Sequence, residues 1–550
     1  MITVTDLSLG FKERALFKNV NLKFTPGNCY GIIGANGAGK STFLKVLCGE
    51  SEFDKGEISI AKDMRLSVLK QDHFAFEQFP ALETVIMGYP KLYGIMKERE
   101  ALYAKEDFSE EDGLRAGELE ADFAGAGGWE AESEAGRILA GLGIGEEEAA
   151  QKMSELDESK KVRVLLAQAL FGSPDILLLD EPTNGLDLES VAWLEEFIID
   201  FPGTVIAVSH DRHFLNSVCT CICDIDYAKI TPYSGNYDFW YEMSHILQRQ
   251  AREQLKKNED KAKELKEFIM RFSSNASKAR QATSRKKVLE KLDLENIPVT
   301  SRKFPYVGFK SEREIGNNVL RVEKLGFSSE GRKLLNEFSF TVNRGDKIAF
   351  VGIEGASKTA LFDIICGEAK AESGDFYWGQ TASFSYFPKE NASFFDLDLS
   401  LVDWLKQYSA NQDETYIRSF LGRMLFSGEE ALKPVNVLSG GEKVRCLLAK
   451  MMLCGANVLI LDEPTSHLDL EAITALNNGL AAFGGVVLFN SGDQQFVNSV
   501  ANRIIEILPQ GEGAAPPKDG QRASFIDRNM PFGEYVKDAS VKELRAAAYG

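Results

Sequence analysis

The fold of this chain is decided by a single stretch, Gly34-Ala35-Asn36-Gly37-Ala38-Gly39-Lys40-Ser41-Thr42. An apolar segment at 29–33 precedes it, and a segment with helical spacing at 43–47 follows it. A Gly-x-x-x-x-Gly-Lys-Ser motif between a strand and a helix predicts a phosphate-binding loop, because glycines let successive backbone N–H groups turn toward an anion. We expect Lys40 to contact the β- and γ-phosphates and the Ser41 hydroxyl to bind Mg²⁺. The sequence therefore predicts a nucleoside triphosphate site.

Composition narrows the class of protein. The chain has 550 residues, 44% of them hydrophobic, and a formal net charge of −19. It is long enough for several packed domains, and its charge argues against a protein coated with nucleic acid. The sequence contains no run of about 18 apolar residues and no signal-peptide pattern. Its 8 cysteines show no disulfide framework, so we expect a cytoplasmic location, with buried thiols rather than a metal site at Cys219, Cys221 and Cys223.

The phosphate loop belongs to a repeated unit. Segment 176–183 returns as 458–465, segment 161–167 returns as 443–449, and the phosphate loop returns in altered form at 352–359. Each copy alternates short strands with amphipathic helices. The repeat predicts an α/β fold with two P-loop NTPase domains in tandem, each built on a mainly parallel sheet.

We expect four segments along the chain. Residues 1–235 form the first domain, with an acidic helical insertion at about 88–136, and residues 317–540 form the second domain. Apolar residues from Ala251 to Phe272 alternate at spacings of four and three, which predicts a coiled-coil seam. With a polar break and further apolar spacing after it, segment 236–316 is predicted to be a long helical hairpin linker. Residues 541–550 are expected to be a C-terminal tail.

The tip of this hairpin is basic in an acidic chain. Between residues 268 and 291 there are seven basic side chains and one acidic side chain. A charge run usually marks a solvated helix face, but the interleaved polar residues and the long lever favour contact with RNA phosphates. No base-reading pattern is visible, so we expect recognition of RNA shape and backbone. The side chains expected to contact RNA are Arg271, Lys278, Arg280, Arg285, Lys286 and Lys287.

Further side chains are predicted to complete a hydrolysis site. Asp180 ends an apolar strand and is expected to hold Mg²⁺ together with Ser41 and Gln71. Glu181 is expected to position or deprotonate the attacking water, and His210 to reach the γ-phosphate. A lone histidine is more often structural, but this combination favours function. The segment Leu438-Ser439-Gly440-Gly441-Glu442 opens a predicted helix and offers a hydroxyl and backbone N–H groups to a second phosphate face.

These motifs together resemble the ATP-binding cassette superfamily. The twin cassettes and the basic linker, with its segment 271–285, are similar to the ABC-F branch, and segments 70–77 and 163–171 resemble its bacterial YbiT-type members. The resemblance implies two cassettes that close head to tail on two ATP molecules within one monomeric chain. It also implies that the ATP-bound form docks in the ribosomal exit site, near rRNA and peptidyl-tRNA, and that hydrolysis releases it. No membrane or DNA partner is implied.

In the head-to-tail arrangement, each nucleotide site combines the phosphate loop of one cassette with the signature of the other. The residues of the two sites can therefore be compared. The first site is complete, and its expected ATP-binding residues are Gly34, Asn36, Gly37, Ala38, Gly39, Lys40, Ser41, Thr42, Ser439, Gly440, Gly441 and Glu442. The second site is altered: 156–159 replaces the signature, Ser357 replaces a phosphate-loop glycine, Glu354 stands where the first loop has Asn36, Lys389 replaces the glutamine, and Gly492 replaces the histidine. Its remaining groups are Gly352, Gly355, Ser357, Lys358, Thr359, Asp462 and Glu463. We predict that the first site hydrolyses ATP and that the second does so slowly or not at all.

Three other classes of function fit these residues less well. The ATPase subunit of a separate membrane transporter would leave the long basic hairpin without a role. A non-catalytic clamp is disfavoured by Glu181 and His210, and a DNA-repair ATPase would carry zinc-binding cysteine pairs. Whether a drug, a nascent peptide or stress is the trigger stays open. The short basic tip favours translation tuning over drug displacement.

Overall fold

The computed structural model describes residues 1–11, 14–62, 64–69, 74–105, 108–272, 284, 286, 287, 289, 302, 304–329, 331–352, 355–509 and 524–549. The chain divides into two compact units. The first unit comprises Met1–Asp63, Thr204–Val208 and Leu215–Arg302, and the second comprises Met64–Gly203, Ser209–Phe214 and Lys303–Gly550.

Strands and helices alternate along the described chain. The strands are β1 (Ile2–Phe11), β2 (Arg14–Phe24), β3 (Asn28–Gly34), β4 (Lys55–Ile60), β5 (Leu66–Val68), β6 (Ile176–Asp180), β7 (Thr204–Val208), β8 (Cys221–Asp226), β9 (Lys229–Ser234), β10 (Asn318–Ser329), β11 (Arg332–Asn343), β12 (Lys347–Val351), β13 (Ser373–Trp378), β14 (Phe384–Phe387), β15 (Val458–Asp462), β16 (Val486–Asn490), β17 (Arg503–Ile507) and β18 (Phe525–Arg528). The helices are α1 (Lys40–Leu47), α2 (Ala81–Ile86), α3 (Pro90–Tyr103), α4 (Glu110–Gly125), α5 (Ala131–Gly141), α6 (Glu146–Ala149), α7 (Glu158–Leu170), α8 (Leu188–Ile199), α9 (Arg212–Val218), α10 (Tyr237–Phe272), α11 (Gly355–Cys366), α12 (Leu401–Lys406), α13 (Glu414–Arg423), α14 (Gly440–Leu453), α15 (Leu470–Ala482), α16 (Gln494–Val500), α17 (Phe532–Tyr535) and α18 (Ala539–Tyr549).

In the first unit, the predicted phosphate loop connects β3 to α1. Strand β3 lies between β7 and β8 and is parallel to both, while β9 pairs antiparallel with β8. From Cys29 onward β3 is buried, because it has a neighbour on each edge and apolar residues on both faces. A three-stranded antiparallel sheet, β2-β1-β4, accompanies it. The loop thus follows the carboxyl end of a central parallel strand, where ligands bind in α/β folds.

The linker begins as one continuous helix in the first unit. Helix α10 has 36 residues, which corresponds to about 54 Å at about 1.5 Å per residue. The coiled-coil spacing therefore identified a long helix correctly. The polar break, most of the return helix, and the tip residues Lys278, Arg280 and Arg285 lie outside the described residues. Lys286 and Lys287 are described and are exposed.

The linker is anchored at its base by a buried carboxylate. Trp240 Nε1 on α10 donates to Asp224 Oδ2 on β8 at 3.1 Å. The guanidinium of Arg302 pairs with Asp224 and lies 4.6 Å from the centre of the Trp240 ring. Burial raises the pKa of Asp224, although the adjacent Arg302 opposes the rise. Arg302, the last residue of the first unit, is therefore held beside the first turns of α10.

The second unit contains the parallel sheet of the second cassette. Strand β12 lies between β16 and β17, β15 pairs with β16 and β14, and β18 adds to β17 in antiparallel fashion. Strands β5 and β6 of the first cassette also pair in parallel here. These pairings confirm the predicted α/β fold with mainly parallel core sheets.

The predicted acidic insertion is a helical pair. Helices α3 and α4 are joined by the Arg99–Glu120 ion pair at 2.8 Å, and Arg99 also lies over the Phe123 ring at 4.4 Å. After α4 the chain turns at Gly127, whose φ of 75° favours glycine. The two helices of the insertion therefore pack on each other through their own side chains.

The last described residues pack onto the second cassette. Val541 on α18 is fully buried, and the Arg545 Nε donates to Glu506 Oε1 on β17 at 3.0 Å. The Tyr535 hydroxyl donates to the other oxygen of Glu506 at 2.6 Å. The boundary predicted after residue 540 falls inside α18. Within the described chain, no helix has both the length and the apolar character needed to cross a membrane.

Candidate active site

The first phosphate loop has the backbone of an anion site. Gly37 and Gly39 have φ values of 75° and 100°, and a Cβ on Gly39 would lie 2.9 Å from Phe17 Cζ. Lys40 is buried, and its Nζ donates to the Gly34 carbonyl at 2.8 Å. The left-handed glycines and the start of α1 direct backbone N–H groups into one concavity.

Glu181 and His210 form a contacting pair in the second unit. Glu181 follows β6 with a φ of 50°, and its Oε2 accepts the backbone N–H of His210 at 3.2 Å. His210 Nε2 lies 3.5 Å from Glu181 Oε1. The carboxylate predicted to act on water is thus fixed in direction by the residue predicted to reach the γ-phosphate. Gln71 lies outside the described residues.

The signature helix of the second cassette is capped by its own side chains. Ser439 Oγ accepts the N–H of Glu442 at 3.4 Å, and Glu442 Oε2 accepts the N–H of Ser439 at 2.8 Å. The Glu442 carboxylate, which we expected to contact ATP, is engaged in this capping box. The first-site groups are thus divided: the phosphate loop belongs to the first unit, and Asp180, Glu181, His210 and the signature belong to the second.

The second site comes together within one unit. A cleft of 1020 Å³ is lined by Asp157, Ser159 and Lys160 of the first cassette, and it also reaches Glu181 and His210. Its other wall belongs to the second cassette and includes Gly352, Gly355, Lys358, Lys389, Glu463 and Gly492. The cleft has the head-to-tail composition that the resemblance implies: the start of α7 in one cassette faces the phosphate loop of the other.

Asp157 occupies the place of the signature serine. It caps α7 as Ser439 caps α14, and its Oδ1 accepts the Lys160 N–H at 2.9 Å. The Lys160 Nζ is held by Glu148 at 2.7 Å and lies 3.4 Å from Asp157 Oδ2. The helix cap survives in this cassette, but a carboxylate now faces the cleft where the other cassette has a hydroxyl.

The carboxylate of Glu463 is oriented as that of Glu181 is. Glu463 has the same φ of 50°, and its Oε2 accepts the backbone N–H of Gly492 at 3.1 Å. Gly492 therefore occupies the position equivalent to His210, as the sequence repeat predicted. What the second site lacks is the imidazole beside the carboxylate, not the carboxylate or its orientation.

The Asp462 carboxylate is engaged by two neighbours. Thr359 Oγ1 donates to Asp462 Oδ2 at 2.6 Å, and Asn490 Nδ2 donates to Asp462 Oδ1 at 2.8 Å. Asp462 has an exposure of 0%, and this burial raises its pKa. Sequence analysis missed Asn490, which stands where the first cassette has Val208. The signal was present as a polar residue at the end of an apolar strand.

The second phosphate loop winds into its helix early. Helix α11 begins at Gly355, the position equivalent to Gly37, whereas α1 begins at Lys40. Ser357 replaces Gly39 and is helical and buried, because a residue with a Cβ does not readily adopt the left-handed conformation of Gly39. Lys358 Nζ still donates to the Gly352 carbonyl, at 3.0 Å. The lysine is kept while the loop geometry changes.

Arg163 and Asp187 form an ion pair in the wall of the cleft, and sequence analysis gave neither a role. The pair is 2.8 Å long, and the charge of Asp187 opposes the lowering of the Lys358 pKa by burial. Asp187 was visible only as part of a repeated Leu-Asp-Leu-Glu segment. The three cysteines Cys219, Cys221 and Cys223 join no cluster of metal-ligating side chains within the described residues.

Comparison with known proteins identifies the family of the chain. The ABC transporter family model matches residues 17–184 and 335–466, and a second model with that description matches 223–309. YkpA of Bacillus subtilis, an uncharacterized ABC transporter ATP-binding protein, is 58% identical over 100% of both chains. YbiT of Escherichia coli O157:H7 is 42% identical over 93% of this chain and 96% of its own length. EttA of Escherichia coli K12 is 33% identical over 91% and 90%.

The chain belongs to the ABC-F family of tandem-cassette ATPases. An ABC-F chain has two ATP-binding cassettes, which agrees with the two phosphate loops described above. The archaeal ribosome recycling factor aABCE1, solved with the stalk protein aP1, has a TM-score of 0.60 at 18% identity. That likeness covers 98% of this chain and 92% of the other, and it shows that the tandem-cassette fold is shared.

Proposed function

We propose that this ABC-F ATPase binds the ribosome in its ATP-bound form, modulates translation and is released by ATP hydrolysis. The observation that carries the ATP-driven step is the composite cleft, where Asp157 of one cassette and Lys358 of the other line the same space. Nucleotide bound between cassettes can favour a closed form by contacting both. Support for the ribosomal target comes from EttA, which is named an energy-dependent translational throttle protein.

Hydrolysis is assigned to the first site. Ser41, Gln71 and Asp180 provide hydroxyl, amide and carboxylate oxygens, a donor set that fits Mg²⁺. Bound there, the metal would neutralise phosphate charge. Lys40 would hold the β- and γ-phosphates, and Glu181 would orient and deprotonate the attacking water. In the second site Gly492 supplies no imidazole and Asp157 adds negative charge, so turnover there is expected to be slow or absent.

The linker tip is the proposed RNA-contacting element. Lys286 and Lys287 are exposed, and with Arg271, Lys278, Arg280 and Arg285 they would contact phosphates of rRNA and peptidyl-tRNA near the exit site. A basic tip on an acidic chain should orient docking, because the body is repelled by RNA while the tip is attracted. The protein is proposed to act as a monomer whose two cassettes pair with each other.

Ribosome co-sedimentation tests this function. The Glu181→Gln variant should pellet with 70S ribosomes in ATP and not in ADP. Reversing the charges of Lys278, Arg280 and Arg285 in that background should abolish pelleting. Reversing the exposed Lys55, Lys62 and Lys310 is the matched control and should leave pelleting unchanged. Failure of Glu181→Gln to pellet with ATP, or its recovery with membranes instead, would overturn the proposal.

A further inference from the structure

The cation position of the second site differs in kind from that of the first. Strand β14 runs parallel to β15 with Tyr386 opposite Ile460, as β5 runs parallel to β6 with Val68 opposite Leu178. The residue that follows β14 at the position of Gln71 is Lys389. An amide oxygen that can bind a metal is therefore replaced by an ammonium group that cannot.

The Lys389 ammonium lies against the second phosphate loop. Its Nζ is 3.9 Å from the point where a Cβ on Gly355 would be, at the first residue of α11. Its charge acts on both Lys358 and Asp462. Lys389 is exposed and lines the same cleft as Lys358, so an anionic ligand has access to it.

The remaining ligands of a divalent ion are also engaged. The Thr359 hydroxyl donates to one oxygen of Asp462, and the Asn490 amide donates to the other. Asn490 has no counterpart in the first cassette, where Val208 ends the equivalent strand. Mg²⁺ requires about six oxygen ligands in near-octahedral geometry. A site with an ammonium group in place of the amide oxygen, and with the Asn490 N–H directed at its buried carboxylate, does not fit that ion.

The same groups fit a polyphosphate without a metal. Lys358 and Lys389 place two positive charges on the loop, and the first turn of α11 adds backbone N–H groups. Across the cleft, Ser159 and the start of α7 complete the cavity. Two ammonium groups near the phosphates do by fixed charge what a lysine and a divalent ion do in the first site.

We propose that the second site binds a nucleoside triphosphate without a divalent cation, with the Lys389 ammonium in place of the metal. This role rests on the proposed function of the cleft as a nucleotide site and not on ribosome binding. Without a metal and without the imidazole, the bound triphosphate is held and not turned over. The second site then acts as a lasting contact between the cassettes while the first site cycles.

Equilibrium binding of labelled ATP to the full chain tests the proposal. A Lys40→Ala background removes the first site, and binding is measured in excess Mg²⁺ and in excess EDTA. We expect one ATP per chain, with dissociation constants in the two conditions that agree within about twofold. In that background Lys389→Gln should weaken binding in EDTA by about tenfold or more, because an opposite charge on the phosphates is lost. Lys370→Gln, exposed and outside the cleft, is the matched control.

Three results would overturn the proposal: binding by Lys40→Ala that disappears in EDTA, no binding by Lys40→Ala in either condition, or Lys389→Gln that binds as Lys370→Gln does. Circular dichroism of each variant shows that it is folded. Co-sedimentation of Glu181→Gln with ribosomes is a separate readout. If that variant does not associate with ribosomes, the proposed ribosomal function is wrong, but the proposal of metal-free nucleotide binding is unaffected.

Discussion

The two strand-end glutamates of this protein share a backbone and differ in their neighbours. Glu181 and Glu463 both have a φ of 50°, and each accepts the N–H of the residue at the switch position, at 3.2 and 3.1 Å. Beside Glu181 stands His210, and beside Glu463 stands Gly492. The fold thus preserves the direction of the carboxylate in both cassettes, while single substitutions around it change the chemistry that is possible.

The left-handed backbone of the two glutamates belongs to the turn and is not evidence of catalysis. A left-handed conformation costs a non-glycine residue on the order of 1 kcal/mol. Glu463 accepts that strain in a site we expect to be silent, and its own N–H donates to the Asn490 carbonyl at 3.0 Å. The turn is therefore stabilised by its backbone hydrogen bond whether or not hydrolysis follows.

The sharpest test of this difference is a pair of identical substitutions. Glu181→Gln should reduce steady-state phosphate release by about 100-fold or more, because loss of a general base costs about 10²–10⁴-fold. Glu463→Gln should reduce it by less than about twofold, since its site contributes little turnover. Phosphate release with and without ribosomes measures both. Equal losses in the two variants would show that the second site also hydrolyses ATP.

A second pair compares the buried carboxylates Asp224 and Glu506. Arg302→Ala removes a partner whose side chain is 5% exposed and should lower the free energy of unfolding by about 3 kcal/mol, because a buried charge loses its partner. Arg545→Ala should cost less, about 1 kcal/mol, because Arg545 is 23% exposed and Tyr535 still donates to Glu506.

Urea unfolding measures both arginine variants. The control is Arg302→Ala combined with Asp224→Asn, which removes the stranded charge and should recover part of the loss. If the double variant is no more stable than Arg302→Ala, the loss comes from packing against Trp240 and not from the charge.

Asp157 gives a smaller effect at the second site. In the Lys40→Ala background, Asp157→Ser and Asp157→Asn should each tighten ATP binding by about fivefold, because a carboxylate facing the phosphates is removed and the helix cap is kept. Asp157→Ala should also lose the cap, which costs about 1 kcal/mol of stability. Equilibrium ATP binding and thermal unfolding separate the two effects. Weaker ATP binding by Asp157→Ser would contradict the proposed repulsion.

Local patterns predicted much of this protein because its motifs are local. The sequence predicted the loop around Lys40, the strand that ends at Asp180 and the repeat of both, because the residues that form each motif are adjacent in the chain. The register of β14 and β15 then agreed with the prediction that Lys389 stands at the position equivalent to Gln71. The early start of α11 was not predicted, although the Ser357 substitution that causes it was noted.

Contacts between residues far apart in the chain could not be predicted from the sequence. Arg302 and Asp224 are 78 positions apart, and nothing near either residue signals the other. Asn490 was visible as a polar residue at the end of an apolar strand, but its contact with Asp462 follows from the pairing of β15 with β16. The division of the first-site groups between two units also has no signature in the chain. Such features depend on packing, which a periodic pattern does not encode.

The smallest expected effect is a pH dependence of stability. It arises from two buried aspartates at equivalent positions of the two cassettes. Asp211 and Asp493 each cap a helix, and burial together with the charge of Asp493 raises the pKa of Asp211 to about 7. Arg212 and His213 face the pair and favour its charge, and His213 is itself paired with Glu195 at 2.8 Å.

The sign of this dependence follows from proton binding. Between about pH 4 and pH 7 the folded protein holds a proton on Asp211 that the unfolded chain has lost, so this group makes stability fall as the pH rises through that window. Asp493→Asn should flatten the decline and raise the free energy of unfolding at pH 8 by about 1 kcal/mol. Its amide oxygen can still accept the Phe496 N–H. Asp538→Asn is the control: hydrogen bonds from Ser540 lower the pKa of Asp538, so this carboxyl is ionised at both pH 5.5 and pH 8 whether the chain is folded or unfolded, and its removal should leave the slope between these two pH values unchanged. Urea titrations at pH 5.5 and 8 measure both variants, and equal pH slopes for Asp493→Asn and the parent chain would show that the two aspartates do not share this cost.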